Sequence, residues 1–528
     1  MIIYDHIYNT GRKLMKRSRF ICILLLLCVT LSFCLASCNK DGDVSVAESS
    51  GSATQQDTEY FKDGKYVGDT LGKSYSGRTL TVLTCGVNQT HESEIVKNTY
   101  EDGTTATYPD IINKDLADRA EYLKSTLGLD IEEVYVFEAK RPGGGMCDRI
   151  RNDALSSSVE YQIVVPCLYD GATLAVESYF HDLNKVEGLQ IQAPWWNQEF
   201  NSGMTVGGQL YFTIGDIGLG NKNSTAALFF NYDLWYRLGL NETYSGDPYT
   251  LVRDKKWTVD LVFEAVKSVG RDLNTDGTID YKDEFGWGGQ LDDMWSLFYA
   301  SGERIAKNDA NGYPTISMFN ERSATLMEKM QELVRDKEHY ISANDYFGVA
   351  QWPTVLVQQG FTEGRALFYN ANVGTVIELG NMNDHYGIVP LPLADDTQEN
   401  YYSLINPWTS TCFAIPAGIT GDELEMTAAA LNVLGAYSKN TLSADYQDIV
   451  LAYMKTRDND SIEMINDYIF PTRGCDIGMA YQWGGLDQLL HGMASAEVGT
   501  FSSAYEAKAS AAKAALDETL AFYRDHEK

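Results

Sequence analysis

Apolar and polar positions follow two periods along this 528-residue chain. Thr79 to Gly86, TLTVLTCG, is a β-branched run closed by glycine and predicts a strand. PDIINKDLADRAEYLKSTLG follows at helical spacing with a glycine stop. A second strand, IEEVYVFEA, a helix from Arg149 to Leu155 and a buried strand, YQIVVPCL, continue the rhythm. Strand, helix, strand in succession predicts the α/β class, with a largely parallel sheet covered by helices. Such sheets take ligands at the carboxyl ends of their strands. Further on, TVDLVFEAVKSVGR predicts a helix capped by Thr258, with Val262, Ala265, Val266 and Val269 on one face. The last 28 residues predict an alanine-rich helix with a capping box at Ser503 and Glu506. Its packing stripe is Tyr505, Ala509, Ala512, Leu516, Leu520 and Tyr523.

DLNTDGTIDYKD, Asp272 to Asp283, breaks both periods. Oxygen ligands from Asp272, Asn274, Asp276, the Thr278 carbonyl, Asp280 and Asp283, with Gly277 at the sixth position, have the spacing of a calcium-binding EF-hand loop. Asp283 stands where a longer, bidentate glutamate is usual. A helix precedes the loop, but EFGWGGQ after it, rich in glycine and aromatics, predicts a strand or turn, so this is half of an EF-hand. An Asx-rich turn that caps its own backbone without metal is the equal alternative. A calcium ion here would be structural, and no other cofactor is expected.

The amino terminus is an address. Arg12, Lys13, Lys16, Arg17 and Arg19 precede FICILLLLCVTLSFCL, an apolar run too short to span a bilayer comfortably. It ends in Leu35-Ala36-Ser37-Cys38, which resembles the lipobox of bacterial lipoproteins. That implies a signal peptide over residues 1–37 and lipidation of Cys38, anchoring the protein on the extracytoplasmic face of the cell membrane. Residues 38–75 begin as a Ser-, Gly-, Asp- and Gln-rich tether. The remaining 450 or so residues exceed what one core usually organises.

Cys85, Cys147, Cys167, Cys412 and Cys475 remain after processing. The number is odd and no pair has zinc or redox spacing, so buried free thiols are expected, with one disulfide as the alternative. Removing the five basic residues and Asp5 takes the formal charge from −31 to about −35, which excludes nucleic acid as a partner.

From about residue 79 to 485, ordered phrases resemble the sugar-type extracellular solute-binding proteins of bacterial ABC transporters. SYFHDLN, GGQLYFTIGDI, ALFFNYDLWYRLGL and KWTVDLVFEAVK come first. The acidic loop, GFTEGRALFYNANVGTVIEL, YGIVPLPL and CFAIPAG follow. The resemblance implies two α/β lobes hinged by crossing strands, lobe 1 from 76–224 and 360–440, lobe 2 from 225–359 and 441–528, with GFTEGRALFYNANVG returning to lobe 1. It also implies capture of a solute, a carbohydrate in that group, and delivery to ABC permease subunits, without catalysis.

Sugars present apolar faces and a rim of hydroxyls, so aromatics and a few polar groups are sought. Asp216, between glycines in TIGDIG, is the leading polar candidate. Trp195 and Trp196 in APWWN follow a loop, which favours exposure. Trp287, Trp295, Trp408, Arg473 and Trp483 complete the set, with core packing the competing role for each tryptophan. The rival functions are a lipid-tethered glycosidase, which needs two facing carboxylates, and a calcium-dependent adhesion or scaffold module. No nucleophile elbow, HExxH or Walker loop is present.

Overall fold

A computed structural model describes residues 59–86, 95–96, 110–137, 143–156, 159–446, 458–494 and 499–527. A compact unit spans Gln55–Lys528, whereas the expected signal peptide, Cys38 and the first part of the expected tether lie outside the described residues.

Two sheets organise the unit. In the first, Thr79–Gly86 runs parallel between Asp130–Phe137 and Ile163–Val165. Leu80, Val82 and Leu83 are fully buried there. The helix Asp110–Leu127 crosses between the first two strands and stops at Gly128, whose φ of 74° suits glycine. The next helix, Gly145–Ala154, begins four residues before the expected Arg149.

The second sheet is ordered Tyr340–Ser342, Glu284–Gly289, Ala366–Asn372, Ala226–Asn231, Tyr386–Val389, with Gly270–Arg271 beside Glu284–Gly289. Its first three strands are parallel. Ala226–Asn231 opposes both of its neighbours, so this sheet is mixed rather than largely parallel. The pairing corrects one expectation. Ala366–Asn372, expected to return to the first lobe, lies between Glu284–Gly289 and Ala226–Asn231. The chain rejoins the first sheet's surroundings only later, through the bridges Cys167 to Thr411, Thr213 to Phe413, Val164 to Ala414 and Phe180 to Pro416. The long helix Asp422–Asn440 then packs on Asp110–Leu127.

Thr258 caps the helix Val259–Lys267 as expected, its hydroxyl accepting from the Leu261 amide. The final helix, Phe501–Asp525, is capped by Thr500 rather than by the expected Ser503, and buries Phe501, Ala512, Leu516, Leu520 and Tyr523. Cys85, Cys147, Cys167, Cys412 and Cys475 are all buried. Among the described residues no helix is long and apolar enough to cross a membrane.

Candidate functional site

The three parallel strands of the second sheet end together at a cavity of about 930 Å³. Gly289 and Gln290, Ala343 and Asn344, and Asn370 to Asn372 are its contributions from the three carboxyl ends. That is the crevice in which open α/β sheets place ligands. The strand ends are tied by one buried carboxylate. Asp293 accepts from Trp287 Nε1 at 2.8 Å, Tyr340 Oη at 2.8 Å and Asn370 Nδ2 at 2.9 Å. A Cβ at Gly289 would overlap that carboxylate, so glycine is required there. Burial pushes the Asp293 carboxyl up to about 7, against the pull of its hydrogen-bond donors.

Aromatic rings form the walls. Trp295, on the helix Asp293–Ala300, stacks on His491 and donates from Nε1 to the Asp487 carbonyl at 2.8 Å. Trp408 enters from the connection that leads back to the first sheet. Tyr169 stands edge-on behind both indoles, at 6.3 and 6.1 Å. Phe347 and Trp352 line the outer part and are exposed.

Between the rings lie neutral hydrogen-bonding groups, chiefly amides: Gln290, Asn344, Gln358, Asn372, Asn406 and Gln488. The Asp292 carboxylate accepts from Asn406 Nδ2 at 2.8 Å, and His491 Nε2 approaches it to 3.1 Å. Glu378 accepts from Gln358 Nε2. Among the described residues lining the cavity there is no lysine or arginine. Uncharged amides, which both donate and accept, with aromatic faces can hold a polyhydroxylated, neutral molecule. A second hollow, of about 520 Å³ over Asn320 to Lys329 and Asp395, has no aromatic lining.

Of the residues nominated from sequence, Trp295 and Trp408 meet in the cavity. Trp287 lies beneath it, holding Asp293. Trp195 and Trp196 are buried, not exposed as expected: Trp195 fills the space over Gly435, where a Cβ would collide with its ring, and Trp196 packs edge-on against Phe413. Trp483 is buried against Tyr481 and donates to Thr519 Oγ1 at 2.9 Å.

Asp216 is buried away from the cavity lining. Lys222 Nζ lies 2.7 Å from it, Lys439 Nζ 3.6 Å, and Ser443 Oγ donates to it at 2.8 Å. Burial alone would raise this carboxyl, but the two ammonium groups outweigh it and hold the group below the usual carboxylate range. Arg473 joins this cluster, donating to the Phe470 carbonyl at 2.7 Å and to Asn221 Oδ1 at 3.4 Å. Sequence reading missed Asp292, Phe347, Trp352 and His491. The available signal was FGVAQWPTV, where large apolar residues occur without helical or strand period.

The acidic loop closes on itself. Asp272 accepts from the Thr275 and Gly277 amides, Asn274 from Asp276, Asp276 from Thr278, and Asp283 from Leu273 and Asp280. Gly277 has φ of 88°. Among the described residues no group of three His, Cys, Asp or Glu is placed to hold a metal ion. Calcium at this loop rests on the ligand spacing alone.

No protein-family model matches the sequence, and no curated protein matches it. Solved structures do. M. tuberculosis UspC superposes with a TM-score of 0.51 at 14% identity, over 83% of this chain and 100% of that one. The ABC substrate-binding protein Lmo0181 from Listeria monocytogenes, solved with cycloalternan, gives 0.49 at 10% identity, over 84% and 98%. The GacH receptor of Streptomyces glaucescens, solved unliganded and with acarbose, gives 0.48 at 14% identity, over 86% and 98%. At these identities the likeness is one of fold, and the chain shares the fold of UspC over most of its length.

Proposed function

We propose that this protein captures a neutral carbohydrate outside the cell and delivers it to an ABC importer, held at the membrane by a lipid on Cys38. One observation supports the solute class above the rest. The cavity at the strand ends combines Trp295, Trp408, Trp352 and Phe347 with an amide-rich, lysine- and arginine-free set of described polar neighbours. The fold and the amino-terminal address support extracytoplasmic capture. The cycle needs no covalent step: solute binds the open form, closure buries it, and the closed form docks on the permease. A solute drives closure only by binding the closed form more tightly.

The test is a thermal-shift and calorimetric screen of the full chain in detergent against neutral sugars and oligosaccharides. Saturation at a hundredfold over Kd should add about 2.7 kcal/mol of stability. Asp292 and Glu378 both line the cavity, which keeps a glycosidase as the second reading. Recovery of uncut sugar supports capture, and cleaved sugar supports hydrolysis.

A further inference from the structure

The aromatic residues of the cavity fall into two tiers of different exposure. The inner tier is more covered: Trp295 is 1% exposed and Tyr369 7%, with Trp408 at its outer edge at 36%. The outer tier is open. Phe347 is 61% exposed and Trp352 57%, with Val349 at 59% and Val355 at 50% in the same nine residues. Four large apolar side chains so close together and uncovered are unusual on a protein surface and mark a binding surface.

The backbone beneath them is fixed. Tyr346 packs edge-on against Tyr281 with centroids 4.9 Å apart, and its carbonyl accepts from the amides of Val349 at 2.8 Å and Ala350 at 3.1 Å. On the far side, Val357 and Phe361 anchor the helix Thr354–Thr362 in the core. The rim is thus an apolar ledge held at both ends, continuous with the cavity through Phe347 and Trp352. Thr354, and Gln358 with its bond to Glu378, line the cavity beside it and offer partners to hydroxyls.

We infer that the outer tier, Phe347 and Trp352, is a distal subsite that selects solutes by length: the solute is an oligosaccharide extending from Trp295 and Trp408 out to this ledge. This rests on the carbohydrate reading given above. A single sugar ring seated on the inner tier leaves both outer rings bare, whereas a longer chain covers them with its apolar faces.

The experiment is calorimetric titration of the full chain in detergent with neutral oligosaccharide ladders, gluco-, manno- and xylo-, from monomer to hexamer. Affinity is expected to keep rising beyond the disaccharide. Trp352→Ala and Phe347→Ala should each weaken binding of the longer members roughly three- to tenfold. Binding of the shortest members should weaken less than that of the longer ones, and the ligand-free melting temperature should hold. Equal affinity for short and long members, or an equal loss across the ladder in the variants, would overturn the distal subsite while leaving the carbohydrate reading intact. No binding of any ladder would overturn the carbohydrate reading itself.

Discussion

His491 lies flat against Trp295, with ring centroids 3.8 Å apart and planes inclined by 17°. The indole is pinned on its other functional edge by the hydrogen bond from Nε1 to the Asp487 carbonyl. Stack and hydrogen bond join the helix Asp293–Ala300 to Leu486–Met493, and both helices contribute to the cavity.

Trp295→Ala should therefore abolish solute binding and cost about 3–5 kcal/mol of stability, because it removes a buried ring. Trp408→Ala, at a part-exposed position, should weaken binding with a much smaller stability loss. Urea denaturation and calorimetry on the two variants read the difference.

The Asp216 cluster makes the opposite prediction. Asp216→Asn leaves the buried Lys222 without its anionic partner and should cost about 3–5 kcal/mol. Solute affinity of the folded fraction should not change, since neither residue lines the cavity. Loss of affinity at unchanged stability would instead place Asp216 at the ligand.

Asp293 gives stability a pH dependence. Its folded carboxyl holds a proton up to about pH 7, whereas an unfolded one loses it near about pH 4. Between those values the folded state binds more protons, so this group's contribution falls as pH rises and levels off above about 7. Asp293→Asn, with Asn370 turning its amide to present oxygen, should flatten that slope in denaturation series from pH 4 to 8. A parallel slope in both proteins would assign it elsewhere.

Asp272→Ala removes the acceptor of two backbone amides in the acidic loop and should lower stability by about 1–2 kcal/mol. If the loop is held by its own hydrogen bonds, melting shows the same loss in millimolar calcium and in chelator. A loss that grows in calcium would assign an ion to the loop.

Local signals were read well because their physics is local. Thr258 caps its helix, Gly128 ends another at positive φ, and the strand Thr79–Gly86 forms where β-branched residues run to a glycine. The α/β class follows from that alternation. The partner of a strand was not legible. Ala366–Asn372 would be buried on either sheet, and only packing chose the second.

The candidate site divides the same way. Sequence supplied tryptophans and carboxylates but not their environments, since burial is a property of neighbours far along the chain. Trp195 is core because Gly435, 240 positions later, leaves room for it. Asp216 is an ion-pair anchor because Lys439 comes back beside it. Trp295 and Trp408 form a wall only because the ends of three parallel strands and a returning connection meet at one crevice. The sequence by itself determined the periodicities, caps and turns that make an α/β chain. The tertiary structure decided which of its aromatic rings line the cavity, because that depends on contacts between segments that no local pattern encodes.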